Sequence, residues 1–386
     1  MSGVAIKGWC PGAWRPMESG DGLVVRIRPQ RGRIDAVQAA GIAELAGRYG
    51  NGLIDLTSRA NLQIRGVADA GYPALIEGLA QLGLLDPDPD VEGRRNIVVA
   101  PFWEAGDEAT LLADELERAL AAGPSGLPVK FGFAVDCGKE CVLAHDSADV
   151  RIERDDAGQL IVRADGAESG RPVSRGEAVK IALELAEWFL SSGGVKEGRG
   201  RMVAHIAAGA APPESLRGDA TPMRKSFEPK PGLTPQGAMF GVDFGQVTHA
   251  ALNRLARKAR ALRMTPWRMM LAEGLREMPA DESLITRADD SRLRVVACSG
   301  APRCREAHAD TRALATALAP HIDVGVTLHV SGCRKGCAHP GPAPVTLVAT
   351  SEGFDLVRNG SARDMPVRRG LDSRRLVEDP AILGRA

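Results

Sequence analysis

The 386-residue sequence predicts a duplicated α+β fold, and three observations carry that prediction. A strand, a C-x3-C turn and a second strand occur twice, in "VKFGFAVDCGKECVLAHDSADVRI" and in "VTLHVSGCRKGCAHPGPAPVTLVA", with Cys137 falling on Cys333 and Cys141 on Cys337 at an offset of 196. Upstream, "DGLVVRIRP", "IAELAGRYG" and "GLIDLTSRANLQIRG" read strand, helix, strand, and "AMFGVDFG", "LNRLARKARAL" and "RMTPWRMMLAEG" repeat that order, with Thr57 on Thr265 and Gly66 on Gly274 at an offset of 208. Between the copies, residues 212–235, "PPESLRGDATPMRKSFEPKPGLTP", hold six prolines and no hydrophobic period, so they read as an extended linker. Each half is then a small split-βαβ unit followed by a larger strand–helix–strand unit, with a pseudo-twofold relating the halves.

The elements follow in chain order. Residues 1–70 form the first split-βαβ unit, its strands marked by alternating apolar residues and its helix by the run ending at Gly50. Residues 71–210 form the first α/β unit: "NIVVAP" is a strand, "TLLADELERALAA" a helix, and "VSRGEAVKIALELAEWFL" an amphipathic helix opened by a capping box of Ser174 and Glu177. The linker spans 211–236. Residues 237–287 are the second split unit. Residues 288–386 are the second α/β unit, where "LRVVAC" and "ADTRALATALA" repeat "NIVVAP" and its helix.

Composition narrows the function. The net charge is zero, which gives no electrostatic reason to expect nucleic acid or an anionic membrane. No apolar run approaches the length of a membrane span, and the opening "MSGVAIKGWCPG" lacks the apolar region of a secretory signal. Seven cysteines, an odd number over a long chain, argue for metal or redox work in the cytoplasm rather than a disulfide framework.

Four of those cysteines form two close pairs. Cys298 and Cys304 stand as C-x5-C after a strand, and Cys333 and Cys337 as C-x3-C in a Gly/Pro loop. Four thiolates suit zinc or an iron–sulfur cluster. Zinc knuckles use the tighter C-x2-C, whereas these open spacings suit a [4Fe–4S] cube, with Gly332 and Gly336 letting backbone N–H groups approach its sulfides. Buried unconnected thiols are the bland alternative. Cys137 and Cys141 have no C-x5-C partner upstream, so they read as a relic of the repeat or a packed pair, and Cys10 reads as a redox thiol, an iron ligand or a buried thiol, burial being the foremost.

The stretch "LTSRANLQIRG" (56–66) reads as a strand with Arg59, Asn61, Gln63 and Arg65 on one face and Ala60, Leu62 and Ile64 on the other. No acidic residue balances the polar row, which suits carboxylates or other anions; a solvated sheet face is the competing reading. Arg94 and Arg95 precede another strand, and Lys130 opens a third.

The C-x5-C and C-x3-C pairs, the R-x-N-x-Q-x-R strand, the "RN" turn and the "LPVKF" strand together resemble the sirohaem-dependent sulfite and nitrite reductases, over nearly the whole chain. The resemblance implies a duplicated nitrite/sulfite reductase-like architecture with two ferredoxin-like half-domains and two α/β cluster-type domains. It implies a [4Fe–4S] cluster on Cys298, Cys304, Cys333 and Cys337, the last bridging to sirohaem iron. It also implies a carboxylate- and anion-gripping set of Arg59, Arg65, Arg95 and Lys130, with Asn61 and Gln63 beside them.

One position departs from the reductases: Gly132 stands where sulfite reductases carry a second lysine. "GWCPGAWRPMESGDGLVVRIRP", "GNGLIDLTSRANLQIRGV" and "HVSGCRKGCAHP" are similar to one branch of the family, the precorrin-3B synthases of aerobic cobalamin biosynthesis. In that branch the tetrapyrrole is substrate. The resemblance implies O₂-dependent hydroxylation of precorrin-3A at C20 with γ-lactone formation, an external electron donor, and a mononuclear non-haem iron beside the cluster. A sirohaem-dependent sulfite or nitrite reductase is the alternative, and a non-catalytic iron–sulfur electron-transfer protein a further one. No facial triad marks the iron ligands; His308, His329 and His339 are the candidates, and no catalytic side chain is legible.

Overall fold

A computed structural model describes residues 11–384. Four sheets make up the fold, two for each kind of unit. The first runs Met17–Ser19, Gly22–Ile27, Leu62–Val67, Leu53–Leu56 and Gln246–Thr248; the second runs Gly232–Leu233, Gly237–Val242, Met269–Glu273, Ala261–Met264 and Arg33–Asp35, with Leu284–Ile285 also paired to Gly237–Val242. The outermost strand at one end of each comes from the opposite half. Gln246 lies opposite Asp55 and Thr248 opposite Leu53, while Arg33 lies opposite Arg263 and Asp35 opposite Ala261. The split-βαβ units therefore exchange strands and share one core, in which Ile42, Ile54, Leu62 and Ile64 meet Phe240, Leu252, Leu262 and Met270. Each such side chain contributes about 1.5–3 kcal/mol on burial.

The helices follow their local signals. Ala36–Tyr49 is opened by a capping box of Asp35 and Gln38, and His249–Ala256 by Thr248, whose hydroxyl accepts from Ala251 N–H. The capping box expected at Ser174 is present: Glu177 accepts from the Ser174 N–H at 3.1 Å as the helix Arg175–Ser191 begins.

The α/β units repeat one topology. In the third sheet Ile97–Val99, Phe133–Asp136 and Val150–Arg154 are parallel and Leu160–Ala164 turns antiparallel. In the fourth, Val295–Ala297, Leu328–Ser331 and Ala343–Thr350 are parallel and Gly353–Gly360 turns antiparallel. Helices Glu108–Ala122 and Thr311–Leu318 take equivalent places after the first strand of each sheet. The repeat extends to single backbone angles. Arg31 (φ 54°) matches Phe244 (φ 51°), and Ala60 (φ 54°) matches Arg268 (φ 58°), residues three beyond the paired Thr57 and Thr265.

The proline-rich stretch is less detached than its composition suggests. Ala220, Pro222 and Ser226 bridge to Gly170, Asp155 and Cys141, and Gly232–Leu233 then pairs with Gly237–Val242. Backbone groups that prolines leave unpaired within a strand are used edge-on against a neighbouring sheet. No helix among the described residues is long and apolar enough to cross a membrane.

Candidate tetrapyrrole and cluster site

The four cysteines of the second half come together because two neighbouring parallel strands deliver them. Val295–Ala297 and Leu328–Ser331 run side by side, with Ala297 opposite Val330, so Cys298 and Gly332 leave adjacent strand ends. Gly332 N–H donates to Cys298 Sγ at 3.2 Å. A β-carbon at Gly332 would lie 2.7 Å from that of Ala307, so only glycine fits between the two loops. Cys304 sits in a tight turn held by its N–H to Gly300 O at 2.8 Å, and Ala307 N–H returns to Cys304 O at 3.1 Å. All four thiols line a single cavity.

These thiols bear on one another electrically. Burial pushes the Cys333 thiol up, the Lys335 N–H opposes this, and Cys304 and Cys298 add to the rise. Burial raises Cys337 as well, followed by the influence of Cys333, Cys298 and Cys304. Two buried thiols that resist ionising, in a cavity that Cys298 and Cys304 also line, are suited to a multinuclear cation that all four would neutralise together. No three His, Cys, Asp or Glu side chains among the described residues converge as ligands of one ion would. A cube holds its thiolates further apart than a single ion does, and four thiols around one cavity are the donor set it uses.

The first-half pair differs. Cys137 and Cys141 are both buried, Cys137 Sγ donates to Ile152 O at 3.7 Å, and burial pushes Cys141 up to about 12. They behave as packed thiols. Cys10 lies outside the described residues.

The cavity measures about 1330 Å³ and lies between the halves. Its walls include Asp55, Gln63 and Arg65 of the first sheet, Trp267 and Arg268 from the turn between two strands of the second, and Arg294 and Arg312 beside the cysteine loops. Pro229, Lys230 and Pro231 of the linker close one side. Ligand sites usually span ~300–1,000 Å³, so this one has room for a macrocycle rather than a small metabolite.

The polar row read from residues 56–66 is divided by the structure. The strand begins only at Leu62; Thr57–Ala60 form a turn in which Thr57 Oγ1 accepts from the N–H groups of Arg59 and Asn61. Gln63 and Arg65 do face the large cavity. Asn61 and Arg95 instead line a separate small pocket, while Arg59 donates to the Lys130 carbonyl at 2.7 Å, and Lys130 itself is exposed. The expectation that no acidic group balances the row is corrected. Arg65 is paired with Asp21 at 2.9 Å and Asp55 at 3.1 Å, and Arg95 with Asp86 at 2.7 Å. These carboxylates come from other elements, which is why the stretch alone did not reveal them.

Arg65 also touches the cysteine loop. The Arg303 carbonyl, next to Cys304, accepts from Ser19 Oγ at 2.8 Å, Gly20 N–H at 3.0 Å and Arg65 Nη2 at 3.5 Å. The loop of the second half is thereby hooked onto the first sheet.

The three histidines do not form a ligand set. His308 is exposed. His339 Nε2 lies 3.2 Å from Pro342 O. His329 is fully buried on its strand, its ring 5.6 Å from that of His339, and neither of its nitrogens has a hydrogen-bond partner. Burial, reinforced by His339, lowers the His329 pKa to about 4. The arrangement gives the expected mononuclear iron no coordination sphere built on these side chains.

Several cavity residues were missed in the sequence, Arg268 and Arg312 among them. Arg268 takes the place of Ala60 in the repeat, so an offset of 208 would have flagged it; it donates to Val295 O at 2.9 Å, and burial lowers its pKa to about 10. Arg312 sits within "ADTRALATALA", which reads only as a helical run. Gly132 proves to be sealed: a β-carbon there would lie 2.8 Å from Asn96 Nδ2 and 3.0 Å from Asn96 O, so no lysine fits without displacement.

Residues 15–82 match the nitrite/sulfite reductase ferredoxin-like half domain. The chain is 31% identical to a precorrin-3B synthase of Sinorhizobium sp, over 93% of this chain and 84% of that one. It is 25% identical to a ferredoxin–nitrite reductase of Synechococcus elongatus, over 91% and 82%. In fold it is similar to the Mycobacterium tuberculosis NirA protein, with a TM-score of 0.64 at 18% identity, over 92% of this chain and 79% of that one. Given this likeness over nearly its whole length, the chain belongs to the nitrite/sulfite reductase family, in its precorrin-3B synthase branch.

Proposed function

We propose that the protein is a precorrin-3B synthase, hydroxylating precorrin-3A at C20 with O₂ and forming a γ-lactone from the ring A acetate. The observation that carries this reading is the 31% identity to a precorrin-3B synthase across 93% of the chain. The site is compatible with it. A cavity of about 1330 Å³ walled by Arg268, Arg294 and Lys230 suits a large polycarboxylate, because guanidinium groups bind carboxylates through paired N–H donors. An iron–sulfur cluster on Cys298, Cys304, Cys333 and Cys337 supplies electrons one at a time when bound. The chain's own task is then to hold the acetate beside the carbon it closes upon, which is positioning rather than acid–base chemistry. The sealed Gly132 weakens the sirohaem reductase alternative, since the lysine of sulfite reductases has no space there.

The test is aerobic incubation of anaerobically purified protein with precorrin-3A, a reductant and isotope-labelled O₂. The expected product is a lactone carrying labelled oxygen. A protein that yields none, retains a chlorin-type chromophore and reduces nitrite or sulfite would be a reductase instead.

A further inference from the structure

Arg312 occupies an unusual electrostatic position. It follows Thr311, whose Oγ1 donates to the Cys298 carbonyl at 2.8 Å and lies 3.8 Å from Cys298 Sγ, so the start of this helix is fastened to a cluster cysteine. The Arg312 side chain is 13% exposed. Its Nη2 lies 3.6 Å from Asp55 Oδ1, while its Nε and Nη1 are buried with no hydrogen-bond partner. Asp55 is already engaged: Oδ1 accepts from Gln246 Nε2 at 2.7 Å and Oδ2 from Arg65 Nη1 at 3.1 Å. One carboxylate thus serves two arginines, and Arg312 is left with an excess of buried positive charge. Leaving a buried guanidinium partly unpaired is destabilising unless another negative group compensates. Besides Asp55, the group whose charge favours the ionised Arg312 is Cys298, whereas Arg303 and Arg65 oppose it.

We propose that Arg312 is the counter-cation of the iron–sulfur cluster, and that its charge raises the potential at which the cluster accepts an electron. Four thiolates outweigh the positive charge of the cube, so the assembly is a net anion and becomes more negative on reduction. A fixed cation in a site of low dielectric favours the more negative state. Of the other cations around the cavity, Arg294 donates to Ile322 O at 3.1 Å, Arg268 to Val295 O at 2.9 Å, and Lys335, which also bears on Cys333 and Cys337, pairs with Glu306 at 3.7 Å and is less buried than Arg312. This inference rests on the four thiols holding a cluster and is independent of which tetrapyrrole faces it.

The experiment is a potentiometric titration of the reconstituted full-length protein, followed by electron paramagnetic resonance, after iron and sulfide analysis. Arg312→Gln is expected to keep its iron and sulfide and to shift the midpoint to a more negative value, with Arg312→Lys remaining near the wild type. Asp55→Asn, which withdraws the competing carboxylate but keeps an acceptor for Gln246, is expected to shift it the other way. It decides the matter if Arg312→Gln does not hold a cluster. An unchanged or raised midpoint in Arg312→Gln, or an unchanged or lowered one in Asp55→Asn, overturns the proposal. A wild-type protein that binds no iron and sulfide overturns the cluster assignment as well, so the two failures are told apart.

Discussion

Arg65 offers the sharpest division between a ligand-gripping residue and a brace. Its side chain is 5% exposed, and the guanidinium makes four kinds of contact: Asp21 at 2.9 and 3.0 Å, Asp55 at 3.1 Å, Ser19 Oγ at 3.0 Å and the Arg303 carbonyl at 3.5 Å. Arg65→Met keeps the stem and removes the charge from two carboxylates that are at most 13% exposed, leaving Asp21 with Asn51 at 3.0 Å and Asp55 with Gln246 at 2.7 Å and the more distant Arg312 at 3.6 Å. Removing one partner of a buried ion pair costs about 3–5 kcal/mol. The Arg303 carbonyl keeps its Ser19 and Gly20 donors, so the cysteine loop stays docked and some cluster loading survives. Urea unfolding of the cluster-free protein is the assay. The expected result is a lower midpoint with an unchanged slope, and partial recovery in the double variant Arg65→Met/Asp21→Asn, because the second change removes one of the two carboxylate charges. A stability loss below about 1 kcal/mol, the size of an exposed pair, combined with loss of tetrapyrrole affinity, would refute the bracing role.

Other expectations concern separate parts of the site. Cys337→Ser should abolish iron and sulfide incorporation while Cys137→Ser leaves it intact, as read by metal and sulfide analysis; full loading of the first variant would refute the ligand assignment. Gly132→Lys should lower stability by about 1–3 kcal/mol, as overpacking against Asn96 does, without conferring nitrite or sulfite reduction; a variant as stable as the parent would show that the site is roomier than the Asn96 contact implies. Asp146 titrates unusually: burial pushes its carboxyl up to about 6, against a lowering by the Trp267 Nε1–H donor and Arg151, with Asp136 adding to the rise. The folded state therefore holds a proton that the unfolded state has released between about pH 4 and pH 6, so this group makes stability fall as pH rises through that window. Asp146→Asn should flatten that part of the stability–pH curve, and an unaltered slope would exclude Asp146 as its source.

Much of the architecture was written in local signals. The offsets between Cys137 and Cys333, and between Thr57 and Thr265, correspond to repeated sheet order and repeated backbone angles. Ser174 and Glu177 marked a helix start because capping depends on neighbours three residues apart. What escaped depends on distant partners. Asp21 lies 44 residues from Arg65, so no window over the basic strand could show the neutralisation. The exchanged strands Arg33–Asp35 and Gln246–Thr248 are three residues each, too short for a period to declare itself or to name a partner. The gathering of Cys298 with Cys333 could be guessed from spacing, but the role of Thr311 and Arg312 beside them could not, because a helical run conceals which side chain points at a neighbouring loop.

The exchange of edge strands has a consequence for how the molecule can be divided. Cutting within residues 212–231 yields two polypeptides, each lacking the strand that completes its own split-unit sheet and carrying the one its counterpart needs. Neither fragment can close its sheet alone, and an open edge of this kind favours aggregation. Co-expressed, the fragments interlock like clasped hands, so assembly requires both to be present during folding. Since the cavity is also walled from both sides, a divided protein has no half that is functional in reserve: the reaction vessel exists only as a joint product. Mixing separately refolded fragments should recover far less soluble complex than refolding them together.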